Sequence, residues 1–371
     1  MSTIYIHWPF CLSKCHYCDF NSVPIKGSID FAFWLSLYKL GLLNFLNQFY
    51  NNERITSIYF GGGTPSLLPT SFVSSLLSTI YNRCNISENA EITLEANPKT
   101  INLWKAKELK SAGINRLSIG VQSIIEDDLR ILGRKHSACE AVNCVFEMSR
   151  VFSTVSVDLI YNRPGQRLED WIDELNVALS SLPIQHVSLY ELIVENGTLI
   201  KKMIDEGILP SPSRESEFIK TTWMIAESCG FHKYEISNFA KPGFEGRHNL
   251  SYWKYDDFYG IGPGAHSRIS RANGRRIALE QASIIDDWIN FIKSDLSFEM
   301  TELNEEEEFK ERLIMGLRAK IGVDLSVSRI DNKKIQFLLE NSYIMLKEGR
   351  VILTDEGLLR LNLVVKYLSG K

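Results

Sequence analysis

Cys11, Cys15 and Cys18 fall within eight positions, in the spacing C-x3-C-x2-C, inside the stretch "YIHWPFCLSKCHYCDF". A short loop with that spacing can wrap three thiolates around one metal centre. Two plainer readings compete with a cluster. Zinc can be held by three thiolates and a histidine, with His16 or His7 as the fourth ligand, or the three thiols can be small core side chains. Three thiols crowded into a loop just after a predicted strand favour metal, and an iron–sulfur cluster is the leading reading. Most protein clusters use four cysteines, so three leave one iron with an open coordination position. Open positions are where cofactors and substrates bind.

Further polar or glycine-rich stretches recur downstream. In "YFGGGTPS", at 59–66, Gly61, Gly62 and Gly63 let bare backbone approach a ligand closely. A tight turn explains them equally well, and no Lys-Ser/Thr pair follows to complete a phosphate loop. Glu95 in "LEANP", Gln122 in "GVQS", Arg134 in "LGRKH" and Asp158 in "VDLIY" project from strand ends or the loops after them. Each one alone reads as a loop salt bridge or helix cap. In "HNLSYW", at 248–253, His248 can ligate heme iron through a neutral imidazole, with Tyr252 and Trp253 as flat apolar faces for a porphyrin. The plainer alternative is a loop whose histidine caps backbone and whose aromatics close a core. His266 in "GPGAHS" is a second, weaker ligand candidate. The other thiols, Cys84, Cys139, Cys144 and Cys229, are scattered and are expected to be small buried hydrophobes.

These residues need a scaffold. Short apolar, β-branched runs at 3–8, 55–60, 91–96, 116–121, 154–161 and 186–192 predict strands, and the helical patterns between them, at 31–50, 70–81, 102–111, 137–149 and 168–180, predict crossovers. Alternation of that kind predicts an α/β fold, a parallel sheet closed or partly closed into a TIM-like barrel of about six βα units, with chemistry at the carboxyl ends of the strands. The expected barrel domain covers 1–240. A second domain over 241–371 begins with the Gly-rich, aromatic stretch "RHNLSYWKYDDFYGIGPGAHS" and continues as mostly helical sequence. Its last part reads as helix, strand pair, helix, the outline of a winged helix, but only Lys333 and Lys334 are basic at the start of the first of those helices, and DNA binding is not expected. Net charge is -4 over 371 residues, which gives no bulk attraction for nucleic acid. The amino terminus shows no signal-peptide pattern, and no apolar run approaches a membrane span. The expected location is the cytoplasm, with at most peripheral contact with a membrane.

The cysteine spacing, with aromatic Tyr17 before the third cysteine, resembles the signature of the radical S-adenosylmethionine superfamily. The resemblance implies a partial (β/α)6 barrel and a 4Fe-4S cluster on Cys11, Cys15 and Cys18. In that family the open iron chelates S-adenosylmethionine, and an electron from the cluster cleaves it to a radical. It further implies cofactor contacts from Tyr5, Tyr17, Gly62, Gly63, Thr64, Glu95, Gln122, Arg134 and Asp158. Over nearly the whole chain, "IYIHWPFC", "YFGGGTPS", "LEANP", "RLSIGVQS" and "SLYEL" are similar to the oxygen-independent coproporphyrinogen III oxidase family and its heme-chaperone branch. The oxidases carry a further cysteine two positions after the third, where this chain has Phe20. They also have a long extension before the cluster, for which Cys11 leaves no room, whereas "HNLSYW" fits the chaperone branch's H-N-x-x-Y-W motif. The resemblance therefore implies a heme chaperone that hands heme to a hemoprotein such as a respiratory-chain enzyme, with His248 on the heme and homodimerisation left open. The alternative is oxidative decarboxylation of coproporphyrinogen III; a radical enzyme acting on RNA is disfavoured by the charge balance. "YNRPGQ" departs from the family, with Asn162 and Arg163 where Gly-Leu is common, and Arg163 is a guess for a propionate contact.

Overall fold

Six strands follow one another through the first half of the chain: β1 (Ser2–Trp8), β2 (Arg54–Gly62), β3 (Asn85–Ala96), β4 (Arg116–Gln122), β5 (Thr154–Tyr161) and β6 (His186–Glu191). Each pairs in parallel with the next. The computed structural model describes residues 1–212, 216–271, 273–294, 299–325 and 330–370. Helices Phe31–Phe49, Thr70–Arg83, Leu103–Ser111, Ala138–Ser149 and Leu168–Ser181 make the crossovers. Several start on side-chain caps that hold otherwise unpaired amides. Asp30 accepts from the amides of Ala32 and Phe33, and Ser137 forms a capping box with Glu140.

Side chains alternate across a strand, and here the two faces differ in kind. Ile4, Ile6, Ile58, Phe60, Leu94, Leu117, Val155 and Val157 belong to the apolar core. The alternate positions, among them Tyr5, Tyr59, Glu95, Ser118, Asp158 and Ser188, line a cavity on the other side. The sheet thus wraps a polar interior and turns its apolar face to the helices.

The sheet does not end with β6. Strands β7 (His232–Lys233) and β8 (Asn238–Ala240) extend it antiparallel beside β6. On the far side β9 (Asp257–Ile261) lies parallel to β1, and β10 (His266–Ser270), β11 (Arg276–Glu280) and β12 (Glu299–Glu302) continue antiparallel. The twelve strands run β12-β11-β10-β9-β1-β2-β3-β4-β5-β6-β8-β7, open at both ends. The Gly-rich aromatic stretch is therefore built into the sheet: it holds the helix Arg247–Trp253 and then β9. The final segment carries helices Asn332–Glu340 and Leu361–Ser369 around the strand pair Ile344–Lys347 and Arg350–Leu353, with Val323–Asp324 as a third strand. Of the scattered thiols, Cys144 alone is buried as expected. Cys84 and Cys229 are half-buried and Cys139 is exposed, because Cys139 sits in the first turn of its helix on the solvent side. Among the described residues no helix is long and apolar enough to cross a membrane.

Candidate cofactor site at the carboxyl ends of the strands

A cavity of 570 Å³ opens at the carboxyl ends of β1 to β6 and reaches down to the helix Arg247–Trp253. Its upper wall carries Cys11, Cys15 and Cys18. The cysteine loop is held by backbone at both ends and in the middle. Phe10–Cys11 pairs with Val23–Pro24, and the amide of Ile25 donates to Cys11 carbonyl at 2.8 Å. The amide of His16 donates to Leu132 carbonyl at 3.1 Å, and His16 carbonyl accepts from Ile200 at 2.9 Å. Tyr17 packs with Ile160, Leu192 and Ile200.

The three thiols share an electrostatic neighbourhood. Burial pushes the Cys11 and Cys18 thiols up, and the other cysteines raise them further, while hydroxyls of Thr64 and Ser22 lower Cys11. Arg134 donates from Nη1 to Cys15 Sγ at 3.0 Å and from Nη2 to Gly120 carbonyl at 2.7 Å. Three thiolates in one wall repel one another, and a cationic iron centre relieves that repulsion. Among the described residues no three of His, Cys, Asp and Glu are gathered closely enough to hold a single metal ion. A four-iron cluster asks for less closure, since each thiolate meets a different iron, so the donor set and its placement fit the cluster. The two histidines weighed as zinc ligands are engaged elsewhere. His7 Nε2 donates to Asn21 carbonyl at 2.9 Å and its Nδ1 accepts from Tyr5 hydroxyl at 3.0 Å. His16 Nδ1 donates to Ile131 carbonyl at 2.9 Å.

Beside the thiols lies a carboxylate pair. Glu95 accepts from Tyr59 hydroxyl at 2.8 Å and from the amide of Gly62 at 3.1 Å. Burial, reinforced by Asp158, lifts its pKa to about 7. Asp158 accepts from Ser118 hydroxyl at 3.3 Å and is lifted by burial to about 6. Two carboxylates held near neutrality in one cavity are a site for a cationic group. Gln122 lies over Gly120: its Nε2 stands 2.8 Å from where a Cβ at that glycine would be. Gln122 itself has a left-handed backbone, φ 70°.

The triple glycine serves the chain's own packing more than an open approach to ligand. A Cβ at Gly61 would stand 2.8 Å from the Tyr5 ring, and one at Gly62, where φ is 110°, would meet the His7 ring at 2.7 Å. At Gly63 the obstacles are backbone: Phe10 carbonyl oxygen at 2.7 Å and Pro9 carbonyl carbon at 2.9 Å. The amides of Gly63 and Thr64 donate to the carbonyls of Trp8 and Phe10. The glycines let β2 close onto the segment that delivers Cys11, while Gly62, Gly63 and Thr64 still line the cavity.

Residues 5–178 match the model of the radical SAM superfamily. The chain is 34% identical to heme chaperone HemW of Bacillus subtilis (strain 168) over 100% of both chains. It is 38% identical to the mitochondrial radical S-adenosyl methionine domain-containing protein 1 of Danio rerio, over 87% of this chain and 74% of that one. The chain belongs to the HemW family of radical SAM proteins. Coproporphyrinogen III oxidase (HemN) from Escherichia coli superposes with a TM-score of 0.84 at 19% identity, over 100% of this chain and 90% of that one, which establishes a common fold.

In this HemW-family chain the expected heme ligand stands in the floor of the cavity, with both ring nitrogens bonded within the chain. His248 is 3% exposed, its Nδ1 is 2.9 Å from Ser57 hydroxyl, its Nε2 is 2.9 Å from Tyr252 hydroxyl, and its ring stacks on Tyr59 at 4.9 Å. Burial alone lowers its pKa to about 3, so it is neutral. Iron reaches either nitrogen only if a hydroxyl moves away. Of the two aromatics beside it, Tyr252 lines the cavity and packs edge-on to Phe258, and Trp253 lies under Arg318. His266 stands outside the cavity, exposed, with Nε2 3.7 Å from Glu280 Oε1. Arg163 corrects the propionate guess: it is 1% exposed and faces Glu174 and Asp128 behind the cavity.

Sequence reasoning missed the lower wall. Arg116 pairs with Glu91 at 3.2 Å, and His186 Nε2 meets Tyr234 hydroxyl at 2.8 Å; all four line the cavity. For Glu91, Arg116 and His186 the signal was present as polar residues at every second position of buried strands, a pattern expected of an interior that holds something polar.

Proposed function

We propose that this protein is a heme chaperone of the cytoplasm that holds a 4Fe-4S cluster and S-adenosylmethionine in the barrel cavity and passes heme to a hemoprotein acceptor such as a respiratory-chain enzyme. The observation that carries the cofactor part is the placement of Cys11, Cys15 and Cys18 on the wall of the same cavity as Glu95, Asp158 and Arg134. The chaperone part is supported by the end-to-end match to a protein named heme chaperone and by exposed Phe20 where oxidases carry a fourth thiol. When bound, the cluster supplies an electron and one open iron site to S-adenosylmethionine. The chain's own part is to orient: the Gly62 amide and Tyr59 hydroxyl aim the Glu95 carboxylate, and Arg134 steadies the Cys15 sulfur. The heme ligand is left unassigned, since His248 as folded has both nitrogens bonded.

Heme titration of the purified protein, followed in the Soret region, tests the chaperone reading; absence of binding removes it. Anaerobic turnover of coproporphyrinogen III with S-adenosylmethionine and reductant would instead assign oxidase chemistry. His248→Phe is expected to melt at lower temperature, because the buried Ser57 hydroxyl loses its partner at a cost of about 1–3 kcal/mol, and unchanged heme binding in that variant would remove His248 as the ligand.

Cofactor affinity should depend on pH through Glu95. Its folded pKa, about 7, lies above the ordinary carboxylate value, so the fold prefers the proton. Stability contributed by that preference is present at low pH and is lost as pH rises through about 7. The amino group of S-adenosylmethionine donates a stronger hydrogen bond to the charged carboxylate than to the neutral acid. Its affinity is therefore expected to rise as pH is raised across that range, in equilibrium dialysis against the reconstituted protein. Glu95→Gln should flatten the profile and weaken binding about tenfold or more, the value of a charge-assisted hydrogen bond.

A further inference from the structure

Arg163 sits just beyond β5, and its guanidinium is buried behind the cavity wall rather than in it. It joins its own loop to two helices. Nη1 donates to Glu174 Oε1 at 3.3 Å and Nη2 pairs with the same carboxylate, which stands on the helix Leu168–Ser181. Nη2 also lies 2.9 Å from Asp128 Oδ2, on the short helix Glu126–Ile131. The aromatic ring of Trp171 packs against the guanidinium at 5.9 Å.

Each partner stands one short segment away from a residue that lines the cavity, Gln122 or Arg134. Glu174 accepts from the hydroxyl of Ser123 and, at 2.9 Å, from the amide of Ile124. It thereby pins the two positions that follow Gln122, whose left-handed backbone an L-residue adopts only when its surroundings hold it there. Asp128 belongs to the turn that ends in Arg134, whose amide donates to Leu129 carbonyl at 2.8 Å. Arg163's own neighbour, Asn162, is left-handed too, φ 57°, and its Nδ2 donates to Glu191 Oε1 at the end of β6. One buried guanidinium thus ties together the loops after β4 and β5 and the helix that delivers Arg134.

Stability is a poor explanation for this cluster. A buried ion pair recovers little more than its desolvation cost, and replacing the whole pair by apolar side chains of similar volume is often neutral. Arg163 Nε is moreover buried without a partner, which is costly. The arrangement makes sense as a device for position.

We propose that Arg163 is a positioning residue: a three-way latch behind the cavity that sets Gln122 and Arg134 against the methionine end of S-adenosylmethionine. This rests on the cofactor reading above.

The test uses the full chain with its cluster reconstituted anaerobically. Arg163→Leu is expected to load iron to the parent level but to melt at lower temperature, since the Glu174 carboxylate stays buried without its counter-charge. Its Kd for S-adenosylmethionine should weaken about tenfold, the usual cost of losing an outer partner of a bound group. Arg163→Lys, which can pair with one carboxylate but not fork across two, should recover part of that loss. Parent-like affinity in Arg163→Leu overturns the latch while leaving the cofactor reading intact. Absence of binding by the unmodified protein fails the cofactor reading itself. If Arg163→Leu cannot be purified, Asp128→Asn carries the test, since it removes one arm of the latch at a partly exposed position; unchanged affinity there overturns the proposal.

Discussion

Single replacement of Cys11, Cys15 or Cys18 by serine is expected to abolish the iron–sulfur absorbance of the anaerobically reconstituted protein, whereas Cys84→Ser is expected to leave it unchanged. The contrast follows from position. The three loop thiols line one cavity and each raises the charge cost of another, so a metal centre is what makes them thiolates together. A serine hydroxyl ionises far less readily than a thiol and is a poor ligand for a cluster. Cys84 stands alone at the end of the helix Thr70–Arg83, where burial pushes its thiol up to about 11. Full absorbance in any of the three loop variants would remove that residue from the ligand set.

A second large effect is expected at Gly63, which bears no reactive group. Gly63→Ala places a methyl 2.7 Å from Phe10 carbonyl oxygen and 2.9 Å from Pro9 carbonyl carbon. Both obstacles are backbone, so no side chain can swing aside. Relief requires β2 to move from the segment Pro9–Phe10, which also breaks the bonds that Gly63 and Thr64 amides donate there. Overpacking of this kind costs about 1–3 kcal/mol, and the displaced segment ends at Cys11. The variant should therefore melt at lower temperature and take up less iron, measured as iron per chain and visible absorbance. Gly197→Ala serves as the control for iron loading: a Cβ there meets nothing, although its φ of 84° adds backbone strain.

The alternation of strands and helices was legible because each strand of the barrel is a short apolar run and each crossover has a helical period. The cysteine loop was legible because its chemistry depends on spacing within eight residues. What escaped were features made by pairing over long distances. Asp257–Ile261 reads as a loop flanked by glycines and aromatics, yet it completes the sheet beside β1. Gln122 could be proposed from "GVQS", but its left-handed backbone and its dependence on Ser123 and Glu174 arise from packing against a helix fifty residues on. His248 shows the converse. Its motif suggests an open ligand, and only the fold reveals that Ser57 and Tyr252 hold both nitrogens. Arg163 likewise looks like a free cation in a loop until Glu174 and Asp128 are seen to enclose it.

The placement of β9 has a consequence for synthesis. Strand β1, made before the other strands of its sheet, pairs on one side with β2 and on the other with Asp257–Ile261, with Ser2 opposite Asp257 and Ile6 opposite Ile261. While the ribosome is still making the middle of the chain, the strand that leads into the cysteine loop carries an unpaired edge, the kind of edge that recruits foreign strands. Contacts so far apart in sequence form slowly. The barrel and its cysteine loop thus reach their final framing only after more than two thirds of the chain has emerged, and iron loading before that point would meet an unfinished wall.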